Sequence, residues 1–322
     1  MAYSTPSNDP NPRDRGPLSP DDALPPVEPP SAGFIVQLFV IPGIIVAIIV
    51  CVWLLFNWLA QMGSDPKAYV DAIKRNNEGR WQAAVNLANA LNNERGADFE
   101  KLRNDRAAVK ELAGILKSEI DDGSMQDKPV TFRIYLCKTL GSFEVADGLP
   151  MLITASTTRR DPAESGVQRA ALQSIALLAE NVKGKEDATE LSSQELTSAL
   201  LTCSQDQDPL VRESAAFAMG VVGGDELLKR LRVMAEDAFP NARYNAATGL
   251  ARHGDMAGKD TLLEMLDPEE EAGVKIEEEA GQEYKRALIE FNGLRAVKAL
   301  IAENPSADRT EFIAAVKKFI AA

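Results

Sequence analysis

Few side chains in this sequence are of a type that does chemistry, and their spacing decides what each could do. His253 is the only histidine in 322 residues. An imidazole acts as a metal ligand or general base when a second donor sits at helical spacing beside it. His253 stands in Ala251-Arg252-His253-Gly254 with no such companion, so it reads as a structural residue at a helix end. Gly220-Val221-Val222-Gly223-Gly224 is glycine-rich, but it lacks the Lys-Ser/Thr pair that a phosphate-cradling loop requires. Glu277, Glu278 and Glu279 could supply oxygen ligands on paper, yet an acidic run between helices reads as a solvated linker. Three cysteines, Cys51, Cys137 and Cys203, cannot all pair. Cys137 and Cys203 fall in apolar helical pattern and read as small buried hydrophobes, so an oxidising compartment is not required. The sequence therefore assigns no catalytic residue, no cofactor and no metal.

The elements that would position any site are helices. Aromatic residues make up only 6% of the chain, while Ala and Leu are abundant, which is the profile of closely packed helices rather than sheet. The net charge is −13, with two Arg against five acids in residues 1–33 and 33 basic against 43 acidic residues beyond them. Nucleic-acid binding draws on Lys and Arg neutralising phosphates, so this balance excludes nucleic acid as the main ligand.

Pro29 to Ser64 contains no charged side chain, and Leu38–Phe56 reads LFVIPGIIVAIIVCVWLLF. About 20 apolar residues span a bilayer as a helix, so residues 34–60 are predicted to form a single transmembrane helix. Residues 1–33 hold nine prolines and predict a disordered or polyproline-like tail that serves as a spacer. Because this polar tail precedes the apolar run, the segment reads as an uncleaved anchor rather than a signal peptide. Trp53 and Trp58 lie toward its C-terminal end, where Trp58 can sit at the interface, and Pro42-Gly43 predicts a kink. Lys67, Lys74 and Arg75, with Arg80 just beyond, outweigh Arg15 on the other side, so the bias in basic residues places the following body in the cytoplasm.

Residues 65–322 are internally repetitive. FRIYLCKTLGSF from Phe132, VQRAALQSIALL from Val167, VRESAAFAMGVV from Val211, ARYNAATGLARH from Ala242 and YKRALIEFNGLR from Tyr284 share one template, with starts 35, 44, 31 and 42 residues apart. Positions 1, 5, 8, 9 and 12 fall on one helical face and are predicted core. Gly at position 10, in Gly141, Gly220 and Gly293, suits a tight contact or the approach to a helix end. A second, shorter apolar helix follows each copy, near Leu149, Leu196, Leu227, Leu262 and Val297, and the uneven linkers include the acidic DPEEEAGVKIEEE. Upstream, DPKAYVDAI and GRWQAAVNLANAL predict a first helix pair with Trp81 as its anchor, and ADFEKLRNDRAAVKELAGILKSEI predicts one outer helix. Downstream, Phe312, Ile313, Val316, Phe319 and Ile320 predict an amphipathic helix that closes the stack.

The template resembles HEAT repeats, especially the short HEAT-like repeats of phycobilisome lyases. The resemblance is sharpest at Asp208-Pro209-Leu210-Val211-Arg212-Glu213-Ser214-Ala215-Ala216-Phe217-Ala218-Met219-Gly220. It implies an all-α solenoid of about six to seven helical hairpins, preceded by the tail and the transmembrane helix. It also implies an Asp/Arg ladder along the stack. Asp208 and Arg212 match that ladder, Arg133 and Arg243 match only its Arg, and Gln168 and Lys285 depart from it, so a continuous ladder is not predicted. The repeated His-Glu pairs of deoxyhypusine hydroxylase, an iron enzyme of similar architecture, are absent.

Position 3 of the copies reads Ile134, Arg169, Glu213, Tyr244, Arg286, and position 7 reads Lys138, Gln173, Phe217, Thr248, Glu290. In a stack these form two parallel stripes on one solvent-facing side, or, in a slightly rotated register, are covered by interrepeat packing. The first arrangement makes Ile134, Arg169, Glu213, Phe217 and Tyr244 the candidate contacts for a protein or peptide partner. The favoured function is thus a membrane-anchored scaffold or docking module with no catalysis of its own. The alternatives are an enzyme of the bilin-lyase or isomerase kind, as the resemblance suggests, and an adaptor subunit of a membrane complex.

Overall fold

A computed structural model describes residues 31–62, 66–75, 77 and 79–321. The proline-rich tail up to residue 30, Arg15 within it, and the side chain of Trp58 lie outside the described residues. The chain divides into two compact units, Met1–Ser64 and Asp65–Ala322.

The first unit is one apolar rod: α1 (Ala32–Ile35), a five-residue π-helical segment (Val36–Val40) and α2 (Ile41–Met62). Ser31 caps its start by accepting from the Phe34 N–H. The wide π turn stands immediately before Pro42, whose ring collides with the carbonyl four residues back and which has no N–H to donate. Ile41 instead donates to Val36 O, which makes room for that ring. The segment Ala32–Asn57 has a mean hydropathy of 3.0, is wholly exposed, and is long and apolar enough to cross a membrane.

The second unit is an α-solenoid, with no strand among the described residues. Its inner helices are α4 (Arg80–Asn93), α7 (Asp127–Gly141), α9 (Ser165–Val182), α11 (Pro209–Val222), α13 (Pro240–Arg252) and α15 (Glu279–Glu303). Each of these packs on the next in one row. The outer partners are α3 (Pro66–Lys74), α6 (Arg106–Asp122), α8 (Leu149–Thr157), α10 (Gln194–Cys203), α12 (Asp225–Met234) and α14 (Lys259–Met265). α16 (Thr310–Ala321) packs on α14 through Phe312, which is buried, while Ile313 and Ile320 of the predicted closing face stay exposed.

Local chemistry explains the breaks. The outer helix predicted from Ala97 is two helices, α5 (Ala97–Arg103) and α6, because Asp105 leaves the helical conformation and accepts from the N–H groups of Ala107 and Ala108. α11 starts at Pro209 under an Asp208 cap that accepts from Leu210 N–H. α6 stops at Gly123, which adopts a left-handed conformation at φ 68°.

The template's core positions are filled as expected in the first two copies: Phe132, Leu136, Thr139, Leu140 and Phe143, then Val167, Ala171, Ser174, Ile175 and Leu178, are all buried. Position 10 is a close contact point, and in the first copy also the last residue of the helix, Gly141. A Cβ on Gly141 would lie 2.7 Å from Ser174 Cα, and one on Gly220 would lie 2.6 Å from Gly249 Cα. Position 10 of one copy thus touches position 8 of the next, backbone against backbone.

The last copy departs from the expectation twice. The helix predicted near Val297 is not separate, since α15 runs unbroken for 25 residues. No Gly-Pro signal or capping residue stands between Asn292 and Ala299 to end it. Its core face is also not the template's: Tyr284, Leu288, Phe291 and Arg295 are exposed, while Ile289, Gly293, Ala296, Val297 and Leu300 are buried. Helix α15 has an inner neighbour on one flank only, so it rotates its apolar residues toward α13 and α14. Gly293 accordingly meets Met265 and Leu266 of the α14 hairpin instead of another inner helix.

Candidate functional site

The residue at position 2 of the first four copies, Arg133, Gln168, Arg212 and Arg243, builds a polar spine along one edge of the stack. Arg212 donates two hydrogen bonds of 2.9 Å each to the Asp237 carboxylate, and it also donates to the carbonyls of Asp206 and Gln207. Arg243 does the same with Glu264 and with the carbonyls of Asp237 and Ala238. Arg133 pairs with Glu164 at 3.1 Å. At the second copy Gln168 donates to Ser156 O, and the cation is supplied from the preceding loop by Arg159, which pairs with Asp206. A ladder therefore joins successive repeats where a break was expected. Its acids are Glu164, Asp206, Asp237 and Glu264, each reached from the repeat before. Asp208, the family-matching acid, does not pair with Arg212; it caps α11 and accepts from the Ser165 hydroxyl. Burial alone would raise the Asp237 carboxyl, but the Arg212 hydrogen bonds and the Phe239 N–H hold it below its ordinary range.

The five stripe residues separate into three environments. Ile134 is half-buried and packs against the core, within reach of Gly166. Arg169 is half-buried, and its Nε is buried without a hydrogen-bond partner. Tyr244 corrects the expectation of a solvent-facing position: it is 4% exposed, with its hydroxyl donating to Glu264 Oε1 at 2.8 Å. The cause is the acidic segment 267–278, read from sequence as a plain linker. It folds back so that Val274 is buried and Gly273 lies against the Tyr244 ring. Burial, reinforced by the Glu264 hydrogen bond, pushes the Tyr244 hydroxyl well above its usual pKa.

Glu213 and Phe217 remain accessible, and together with the buried Tyr244 they line a groove of about 760 Å³ between α11, α13 and α15. Arg252, Lys285, Leu288, Asn292 and Arg295 also line it. Phe217 is 42% exposed, an aromatic ring presented among charged and amide groups. Ile134 and Arg169 are not among its lining residues. The groove cations escaped the stripes read from sequence: Lys285 sits at position 2 and Arg295 at position 12 of a copy whose helix is rotated out of the template register.

Glu213 is the groove's strained carboxyl. Burial raises its pKa, and Lys285 and Arg169 nearby only partly oppose this. A carboxyl whose folded pKa exceeds its unfolded value favours folding when protonated and opposes it above that pKa. Glu213→Gln should therefore raise Tm at pH 7, with the gain disappearing as the pH falls through the Glu213 titration, above the ordinary value of about 4.3. Thermal melts of both proteins across pH 4–8 check this.

His253 bonds to Gly220 O through Nε2 at 3.0 Å and packs on Gly223, a role in joining α11 to α13. Burial pushes the Cys137 thiol up to about 12 and the Cys203 thiol up to about 11, so both are held protonated and unreactive. Among the described residues no three His, Cys, Asp or Glu side chains group as a metal site.

No curated protein matches the chain. Residues 193–280, which hold α10 to α14 and the segment after them, match the family described as HEAT repeats. That match and the all-helical stack of hairpins together support a HEAT-repeat protein.

Proposed function

We propose that this chain is a membrane-anchored HEAT-like scaffold whose inner-helix groove docks a segment of another protein. Residues 1–33 act as a spacer, residues 34–60 as the anchor, and residues 65–322 as the docking solenoid, with no catalysis of its own and with the solenoid in the cytoplasm. The observation that carries this reading is the groove between α11, α13 and α15. It pairs an exposed aromatic anchor, Phe217, with carboxylate and cationic groups of both signs. Such a surface suits a peptide with one bulky apolar side chain flanked by charges, because buried aromatic anchors dominate docking energy and surrounding charges set register.

A wholly exposed helix of this hydropathy supports the anchor, since an apolar rod of 26 residues is stable only in an apolar surrounding. A photocrosslinking side chain placed at Phe217 of the full chain in native membranes should give a discrete protein adduct. The same group at the exposed Lys229 of α12 should not. Equal yields at both positions, or none at Phe217, would refute the groove as a docking site. A bound chromophore or small molecule in place of a protein would instead favour the enzyme class. Resistance of the chain to alkaline extraction tests the anchor, and its intact N-terminal mass distinguishes an anchor from a cleaved signal.

A further inference from the structure

The groove between α11, α13 and α15 does not share the acidic balance of the chain. The whole sequence carries a net charge of −13, yet the groove is lined by Arg252, Lys285 and Arg295 against Glu180 and Glu213. Arg252 is already paired with Glu180. That leaves Lys285 and Arg295 facing the single carboxylate of Glu213. Arg295 forms no ion pair among the described residues, and its guanidinium lies over the Phe291 ring at 5.6 Å from the centroid. A cation without a carboxylate partner draws an anion more strongly inside a concave, partly apolar surface than on open surface.

The chain itself seats an acidic segment beside this surface. Residues 267–278 hold six carboxylates and one lysine. Tyr244, Met265 and Ile289 line both the groove and a smaller cavity that Asp267, Glu270, Gly273 and Val274 of this segment enclose. Val274 is the apolar anchor, 5% exposed, and Gly273 lies against the Tyr244 ring. Helix α15 supplies the cations. Arg286 donates to the carbonyls of Pro268 and Glu270 at 2.6 and 2.9 Å, and Lys285, a groove residue, reaches the Glu277 carboxylate at 3.6 Å. One apolar side chain among carboxylates, held from α15, is thus an occupant that the adjoining surface already accepts. Phe217 and Leu288 line the groove but not the smaller cavity, and both are exposed, so they offer the same apolar contact to an incoming chain. Building on the groove reading above, we propose that the docked partner is an acidic segment, with carboxylates flanking one bulky apolar side chain. Phe217 and Leu288 receive the apolar group, Lys285 and Arg295 receive the carboxylates, and Glu277 competes with the partner for Lys285.

The probe is a fluorescent peptide with one phenylalanine flanked on both sides by glutamates, titrated by anisotropy against the full chain in mild detergent. Its counterpart carries lysines in place of the glutamates. The glutamate peptide should bind at least about tenfold more tightly than the lysine peptide, against the net charge of the chain. Arg295→Glu should weaken its binding by about tenfold while leaving helicity by circular dichroism unchanged, and Lys229→Glu, on α12 outside the groove, should leave the affinity as it was. Glu277→Gln, which frees Lys285, should tighten binding by about threefold. Equal binding of both peptides, binding of neither, an equal effect of Arg295→Glu and Lys229→Glu, or a Glu277→Gln chain that binds no more tightly would each overturn the proposal. The Phe217 crosslink in native membranes tests the groove by itself. A protein adduct there together with a preference for the lysine peptide would overturn the acidic partner and leave the groove standing, whereas loss of that adduct would remove both.

Discussion

Arg133→Ala should be among the most destabilising single changes in the solenoid, costing about 2–5 kcal/mol as the truncation of a fully buried long side chain. The Arg133 guanidinium is completely buried, and its partner Glu164 is buried as well. Arg133 Nη1 donates to Glu164 and Nη2 to the Ser124 carbonyl at 2.6 Å, while its Nε finds no acceptor. Removal leaves the Ser124 carbonyl without this donor and opens a cavity beside Met125 and Glu164, and both effects add to the lost pairing. Glu164 would not be stranded. Arg160 also holds it through its own backbone N–H at 2.7 Å and through its guanidinium, which reaches on to Ile120 O. Arg133→Met, which refills the volume without a charge, should thus recover part of the loss. If the pair contributed only surface electrostatics, both variants would melt within about 1 kcal/mol of the wild type and the loss would fade in salt. Denaturant titrations at low and high salt separate the two cases.

A second large effect is expected where two helices meet on bare backbone. In an exposed helix interior Gly→Ala gains stability of up to about 1 kcal/mol. At Gly220 the sign should invert, because the new Cβ would lie 2.6 Å from Gly249 Cα, and backbone cannot swing aside as a side chain does. Gly220→Ala should cost about 1–3 kcal/mol by forcing α11 and α13 apart. Gly220→Leu should cost more and loosen the third and fourth copies together. The internal control is Gly114→Ala on α6, where an added Cβ meets nothing within 4 Å and should stabilise. Hydrogen exchange gives the location: the Gly220 variants should lose protection in α11 and α13 first, as expected for a stack whose repeats are held by nearest-neighbour contacts. Equal stability of Gly220→Ala and Gly114→Ala would show that the close approach carries no weight.

These two sites differ in how visible they were. Arg133 was legible as a ladder arginine from its place after Phe132, yet its acid was not, because Glu164 lies 31 residues away beyond a complete hairpin. Gly220 was legible as special from its template position two residues before the end of α11, but its tight contact appears only with Gly249 arriving from the next repeat.

The sequence by itself determined the helical periodicity, most helix starts, the apolar rod before residue 57 and the recurrence of one template, since each follows from chemistry within a few turns of chain. Only the tertiary structure decided the groove, the ladder's acids and the rotation of α15 out of the template register. Tyr244 shows the reason: its place on a stripe is local, but its burial depends on Gly273 and Val274 folding back over it. Phe291 shows the converse, a residue at a core position of the template left in solvent because the row of inner helices ends there. Which face of a repeat is buried is a property of its neighbours, and the last repeat lacks one.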